Sequence, residues 1–257
     1  MQFTTISAAK KQTKLSYLGM VNSSVKHLKN YKYEELVYAL YLAPAKLSGY
    51  NVCPKSNAEC RALCLNESGR NKMDIKQNKI NNARIVKTKL FYEHRAFFMD
   101  WLMAEIKLYK KMADDKGLHF SVRLNNTSDI SPEAFYTHIG NTRLNVLQAF
   151  PDVQFYDYTK VPNRITLLNK YTNYDLTFSF DGYNWDTCQN MINNNVRVAV
   201  VFANKLPEEF NDIPVIDGDL YDTRFLDDKN VIVGLKYKKV RNKLQKNYKF
   251  VVQEPVQ

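Results

Sequence analysis

The chain has 257 residues, 45% of them hydrophobic, which is enough to bury a large core as one domain or two. Eight Gly and eight Pro, no Pro/Ser-rich linker and no repeat of fixed period favour a single domain over 1–257. A net charge of +11 favours polyanionic partners such as nucleic acid or nucleotides, although a Lys-rich solvated surface gives the same number. The opening MQFTTISAAKKQTKLSYLG lacks an apolar export core, and no segment approaches a membrane span. A cytoplasmic protein with reduced thiols and no membrane partner is expected.

In chain order, residues 1–30 show little pattern and are expected as an arm or cap, followed by a body over 36–238. A first strand-like run, LVYALYLAP (36–44), leads into a cysteine loop. A long helical region over 72–116 follows, read as two helices. Ile80, Ala83, Val86 and Leu90 recur at helical spacing in the first; Phe98, Leu102, Ile106, Tyr109 and Ala113 do so in the second, with Gly117 as its stop. The second strand is HFSVRLN (119–125). Ser131 and Pro132 then read as N-cap and first turn of a helical stretch ending near Ala149. Four more strand-like runs follow: VQFYDYTK (153–160), LTFSFDG (176–182), VRVAVVFAN (196–204) and NVIVGLKYK (230–238). The chain closes on a basic extension, 239–257.

Strand, helix and strand repeated this way predict an α/β fold with parallel strands and right-handed crossovers. Strands of a doubly wound sheet are covered on both faces and read as continuous apolar runs. Here Phe120, Val122 and Leu124 oppose Ser121, Arg123 and Asn125, and Leu176, Phe178 and Phe180 oppose Thr177, Ser179 and Asp181. A partial (β/α)6 TIM-like barrel with a polar, ligand-holding concave face fits this alternation better than an open doubly wound sheet or an antiparallel sheet with one wet face.

Three of the four cysteines lie together as Cys53-x6-Cys60-x3-Cys64 on the loop after the first strand. Soft thiolates gathered this way indicate a metal or cluster site. A closed zinc site takes four ligands, whereas a [4Fe–4S] cluster held by three cysteines leaves one iron open. Cys188, at the start of a helix after the fourth strand, reads as a buried thiol or as a fourth ligand. In α/β folds, ligands sit at the carboxyl ends of the strands. Those ends carry Arg123, Asn125, Asn126 and Asp129; Asp157 and Lys160; Ser179 and Asp181; Asn204; and Lys236. The acidic segment IDGDLYDTRF precedes the last strand. No GxxxxGK[ST], GxGxxG, GxSxG or HxH pattern is present.

The order of VRLNNTSDI, FYDYTK, FSFDG, VAVVFANKLP, IDGD and VIVGLKYK behind CP-x5-C-x3-C resembles the phage gene product 88 family, over about 38–251. The cysteine trio and the Arg-Lys-Thr helix at 84–88 carry the resemblance most specifically. More distantly, three cysteines after the first strand of a six-unit partial barrel are similar to the radical S-adenosylmethionine enzymes. That resemblance implies a [4Fe–4S] cluster whose open iron binds the amino acid end of the cofactor. Those enzymes space their cysteines as C-x3-C-x2-C and carry a Gly-Gly-Glu segment after the second strand; this chain has a wider spacing and Asn125-Asn126-Thr127-Ser128-Asp129 instead. The cluster carries over better than the cofactor.

The expectation is therefore a phage iron–sulfur protein holding [4Fe–4S] through Cys53, Cys60 and Cys64. It would be an enzyme using S-adenosylmethionine or an open Lewis-acid iron on a small anionic or nucleotide substrate. Arg123, Asp129, Asp157, Lys160 and Asp181 are the candidate catalytic groups. Asn125, Asn126, Ser179, Asn204 and Lys236 are the candidate cofactor contacts. The alternatives are a zinc- or cluster-stabilised module that binds nucleic acid without catalysis, and a virion or host-takeover scaffold.

Overall fold

A computed structural model describes residues 5–21, 24–74 and 77–253. In chain order the elements are α1 (Ile6–Thr13), β1 (Gly19–Val21), α2 (Val25–Lys29), β2 (Glu35–Leu40), α3 (Ala58–Ala62), α4 (Gly69–Met73), α5 (Lys79–Glu93), α6 (Arg95–Asp114), β3 (His119–Arg123), β4 (Tyr136–Ile139), β5 (Thr142–Asn145), α7 (Val146–Ala149), β6 (Gln154–Thr159), β7 (Tyr174–Ser179), α8 (Trp185–Asn193), β8 (Val198–Phe202), β9 (Glu209–Phe210), β10 (Ile213–Asp217), β11 (Ile232–Lys236) and β12 (Val251–Val252). The fold is mixed α/β, built on a mostly parallel sheet in the order β1-β2-β3-β6-β7-β8-β11-β10-β9.

The six expected strands are β2, β3, β6, β7, β8 and β11. They lie side by side in chain order and all run parallel. A doubly wound sheet reverses its strand order at a switch point. No reversal occurs among these six. The two edges, β1 and β9, are antiparallel additions, and the sheet is open.

Apolar side chains on one face of the strands pack against the helices, as the alternation required. Leu36, Tyr38, Leu40, Phe120, Val122, Phe155 and Leu176 form one core with Phe98, Trp101, Leu102 and Ile106 of α6. Phe178, Val198, Val200, Phe202 and Ile232 form a second with Cys188, Met191 and Ile192 of α8. Gly117 ends the long helical region in the left-handed region, at φ +64°.

The connections depart from six helical crossovers. Between β3 and β6, Ser131 makes no side-chain cap bond, and Pro132–Ala134 is a single 3-10 turn. A β4–β5 hairpin and the one-turn α7 take the place of a helix there. Between β8 and β11 the chain forms β9 and β10, and β10 pairs parallel with β11. Asn145 and Gln148 form a reciprocal capping box, so local chemistry outweighs the crossover pattern there.

The described residues near both ends join the body. Ala9, Leu15 and Leu18 lie in the main core, and β1 extends the sheet edge. Glu105 of α6 holds this segment, accepting from the Leu18 and Gly19 N–H groups (2.9 and 3.0 Å) and from the Tyr38 hydroxyl (2.7 Å). The Tyr38 ring lies so close over Gly19 that any Cβ there meets it. Gly19→Ala is expected to destabilise the chain by about 1–3 kcal/mol in urea unfolding. A variant as stable as the parent would show that the ring yields freely.

The C-terminal extension returns to the sheet. β7 and β8 share only the pairs Phe178↔Val198 and Ser179↔Ala199, and beyond them β12 pairs with Val201 and Phe202 of β8. β7 ends at that point, and β12 takes its place beside the rest of β8.

The polar face is not an open cup. The segment after β10 crosses it, placing Asp222, Thr223 and Arg224 against the strands, each at most 1% exposed. Asp222 accepts from Arg123 Nη1 (2.9 Å) and from the Tyr156 hydroxyl (2.9 Å); it also contacts His27 Nε2 (3.2 Å) and Lys26 Nζ (3.3 Å). The polar side chains of the sheet that read as a ligand surface in sequence thus lie under a segment of the chain itself, and Arg123 and Tyr156 meet its Asp222.

Candidate metal centre

The cysteine loop starts past β2 and is pinned by side-chain bonds rather than regular structure. Asn57 caps α3 by accepting from the Cys60 N–H (2.8 Å), and its Nδ2 donates to the Asp181 carbonyl (2.8 Å). The loop therefore lies against the end of β7. Glu59, in the first turn of α3, accepts from the N–H groups of Lys249 and Phe250 (both 2.8 Å) and from the Tyr183 hydroxyl (2.5 Å). Burial opposes ionisation of Glu59, but these donors outweigh it and hold the carboxyl below its usual range. Leu63 packs on Val240 and Val251, so the C-terminal extension straps the loop from above.

Cys53, Cys60 and Cys64 are half-buried free thiols. Cys53 Sγ accepts from the Ala45 N–H (3.3 Å) and faces the Thr127 carbonyl (3.8 Å). Burial pushes the Cys53 thiol up, and neighbouring Cys60 and Asp129 add to this while Lys160 opposes it. Cys64 is pushed up to about 12, mainly by burial and then by Cys60 and Cys53. The three sulfurs thus lie within electrostatic reach of one another, and a bound cation reverses the cost of ionising them. Among the described residues, no group of three or more His, Cys, Asp or Glu side chains is arranged to hold a metal ion.

Cys188 sits buried in α8, with Sγ directed at Asn184 Oδ1 (3.7 Å). Burial raises its thiol to about 12, and its charged neighbours are Asp181 and Lys160.

The predicted rim residues divide into those at the cysteines and those drawn elsewhere. Lys160 lies beside Cys53 and Cys188, with its ammonium 5.5 Å from the Phe250 ring centroid. Asp129 stands close to Cys53, and its N–H donates to the Val52 carbonyl (2.7 Å). Its carboxylate accepts from Thr159 Oγ1 (2.8 Å), the Lys160 N–H (2.7 Å) and Arg164 (3.0 Å). Asp181 joins through Asn57, and the Asn126 N–H donates to the Leu40 carbonyl.

Asp157 and Asn125 are buried partners of each other: Asp157 accepts from the Asn125 N–H (2.7 Å), Asn125 Nδ2 and Tyr174 (both 2.9 Å). Burial pushes Asp157 up, opposed by Arg164 and these donors. Arg123 is committed to Asp222 on the covered face. Ser179 pairs with Ala199 in the sheet. Asn204 is exposed past β8, and Lys236 lies beside Asp217 and Asp219 at the β10–β11 edge.

Sequence reading gave several neighbours of the cysteines no role at the site. Arg84 of α5 lies near Cys64, stacks over Tyr41 (4.9 Å) and donates to Asn66. A cleft of about 330 Å³ opens at Cys53, lined by Ala45, Lys46, Asn51, Pro54, Ser56 and Arg61. The Asn-x-x-Cys cap was visible in the sequence; the cations converge only in three dimensions.

Residues 5–255 match the family model described as Gene product 88. The chain belongs to the gene product 88 family. The match covers nearly the whole chain, in keeping with a phage protein. No curated protein and no solved structure shows significant similarity to it, so the wider likeness to radical S-adenosylmethionine enzymes gains no support from these comparisons. Among the described residues, no helix is long and apolar enough to cross a membrane.

Proposed function

We propose that this family member is an iron–sulfur enzyme in which Cys53, Cys60 and Cys64 hold a [4Fe–4S] cluster beside a cationic cleft that receives a small anionic or nucleotide substrate. The observation that carries this reading is the set of three half-buried free thiols on one loop, strapped at the carboxyl ends of parallel strands, with Cys188 Sγ directed at Asn184. The strand order β2-β3-β6-β7-β8-β11 fits a partial (β/α)6 barrel, in which such ends form the site. The zinc alternative needs four donors around one ion.

A bound cluster of this kind supplies an open iron for S-adenosylmethionine or for Lewis-acid polarisation of a substrate oxygen. Lys46 and Arg61 in the cleft, with Lys160 beside Cys53, would attract and orient the anion. Asp129 positions the end of β6 through the Lys160 N–H. The strap of residues around Phe250 would keep water from the sulfurs.

Purification without oxygen tests the reading. About four iron and four acid-labile sulfide per chain are expected. Cys53→Ala, Cys60→Ala and Cys64→Ala should each lose them, and Cys188→Ala should keep them. Zinc without sulfide, or dependence on all four cysteines, would overturn the proposal.

A further inference from the structure

The covered face of the sheet holds an excess of buried donors. Arg197 is fully buried and gives one nitrogen to Asp175 (2.5 Å), while its Nε and Nη1 meet no hydrogen-bond acceptor among the described residues. The same holds for Arg224 Nε, Arg123 Nε and the hydroxyls of Tyr158, Thr177 and Thr223. Thr177, Thr223, Arg197 and Arg224 are each at most 1% exposed. These groups form one patch. Thr177 lies directly across from Tyr158 in the β6–β7 register, and Arg197 directly precedes Val198, the partner of Phe178. The Arg123 guanidinium covers the Tyr158 ring at 4.6 Å, and Arg224 is an electrostatic neighbour of Tyr158.

Charge points the same way. Arg123, Arg197 and Arg224 face Asp222, Asp175 and Asp227 one for one, and Lys26 and Lys229 add positive charge at Asp222 and Asp175. Buried N–H and O–H groups require acceptors, and a surplus of guanidinium donors matches a group with several oxygens and negative charge. We infer that this patch is a binding site for the phosphate group of a small ligand. Arg123 and Tyr158 are the partly exposed members of the patch, Arg123 keeping 13% of its side chain in contact with solvent. Burial of the other donors suits a terminal phosphate, not a polymer backbone. The site stands whatever the cysteines carry.

Inorganic phosphate titrated into the full chain by calorimetry, at ionic strength matched with chloride, tests this. Saturable binding is expected, about tenfold weaker in Thr177→Val and in Tyr158→Phe. Without phosphate, both variants should be as stable as the parent or more so, because each loses an unpartnered hydroxyl. Absence of saturable binding, or unchanged affinity in both variants, would overturn the inference. So would equal destabilisation with and without phosphate, which would mean that the hydroxyls hold buried water as structure. Because the readout involves no metal, its failure leaves the cluster reading untouched.

Discussion

Asp222→Asn is expected to lower the free energy of unfolding by about 3–5 kcal/mol, measured by urea denaturation at neutral pH. Asp222 is 1% exposed and meets Arg123, Lys26, His27 and the Tyr156 hydroxyl. An amide of the same shape leaves the Arg123 guanidinium in the interior without its counter-charge, and that loss exceeds any lost packing. Burial alone would raise the Asp222 carboxyl, but Arg123 first, then Lys26 and His27, hold it well below the usual carboxylate range. A depressed folded value means that this stabilisation is fully present above the unfolded value of about 4 and fades as pH falls through the folded one. The difference between parent and variant should therefore stay constant from neutral pH down to about 5 and shrink below it. A gap that widens on acidification would contradict the assignment.

Arg164→Leu is expected to cost a similar 3–5 kcal/mol and to reduce metal retention as well. Arg164 is 4% exposed and meets Asp129 (3.0 Å), Glu133 (3.5 Å) and Asp157 (3.8 Å), so its removal leaves carboxylates facing one another. Asp157, already pushed up by burial, can take a proton in the variant, which limits the loss to the lower end of the range. The same carboxylates organise the loop after β3. There Thr127 Oγ1 donates to the Leu42 carbonyl (2.6 Å) and its own carbonyl faces Cys53, so a loosened loop releases one wall of the cysteine site. Iron content measured at a temperature where the variant remains folded should fall below the parent's. Full iron with a stability loss under about 1 kcal/mol would show that the loop does not depend on Arg164.

Much of the framework was legible because hydrophobic periodicity and helix stops are local. The six parallel strands, the pair α5 and α6, and Gly117 all follow from spacing within a short window. The crossovers were less legible, since a one-turn α7 and a β4–β5 hairpin answer to capping by Asn145 and to turn chemistry rather than to period. What covers the polar face was not legible, for a physical reason. Alternation in β3, β6 and β7 reports which side chains share a face, not what covers it, and Asp222 is 99 residues from Arg123 in sequence. The cysteine trio was visible because its thiols are close in the chain. Lys46 and Arg61 were not, because single cations in a Lys-rich sequence carry no pattern, and Arg84 stood out only as part of the 84–88 helix, with nothing to place it near Cys64.

The central claim is an inorganic cluster on three sulfurs, and diffraction from anaerobically grown crystals at the iron absorption edge tests it most directly. The account predicts anomalous iron density bonded to the sulfurs of Cys53, Cys60 and Cys64, with the remaining iron free of any protein atom. A lone zinc peak, a fourth protein ligand, or three sulfurs with no metal between them would contradict it.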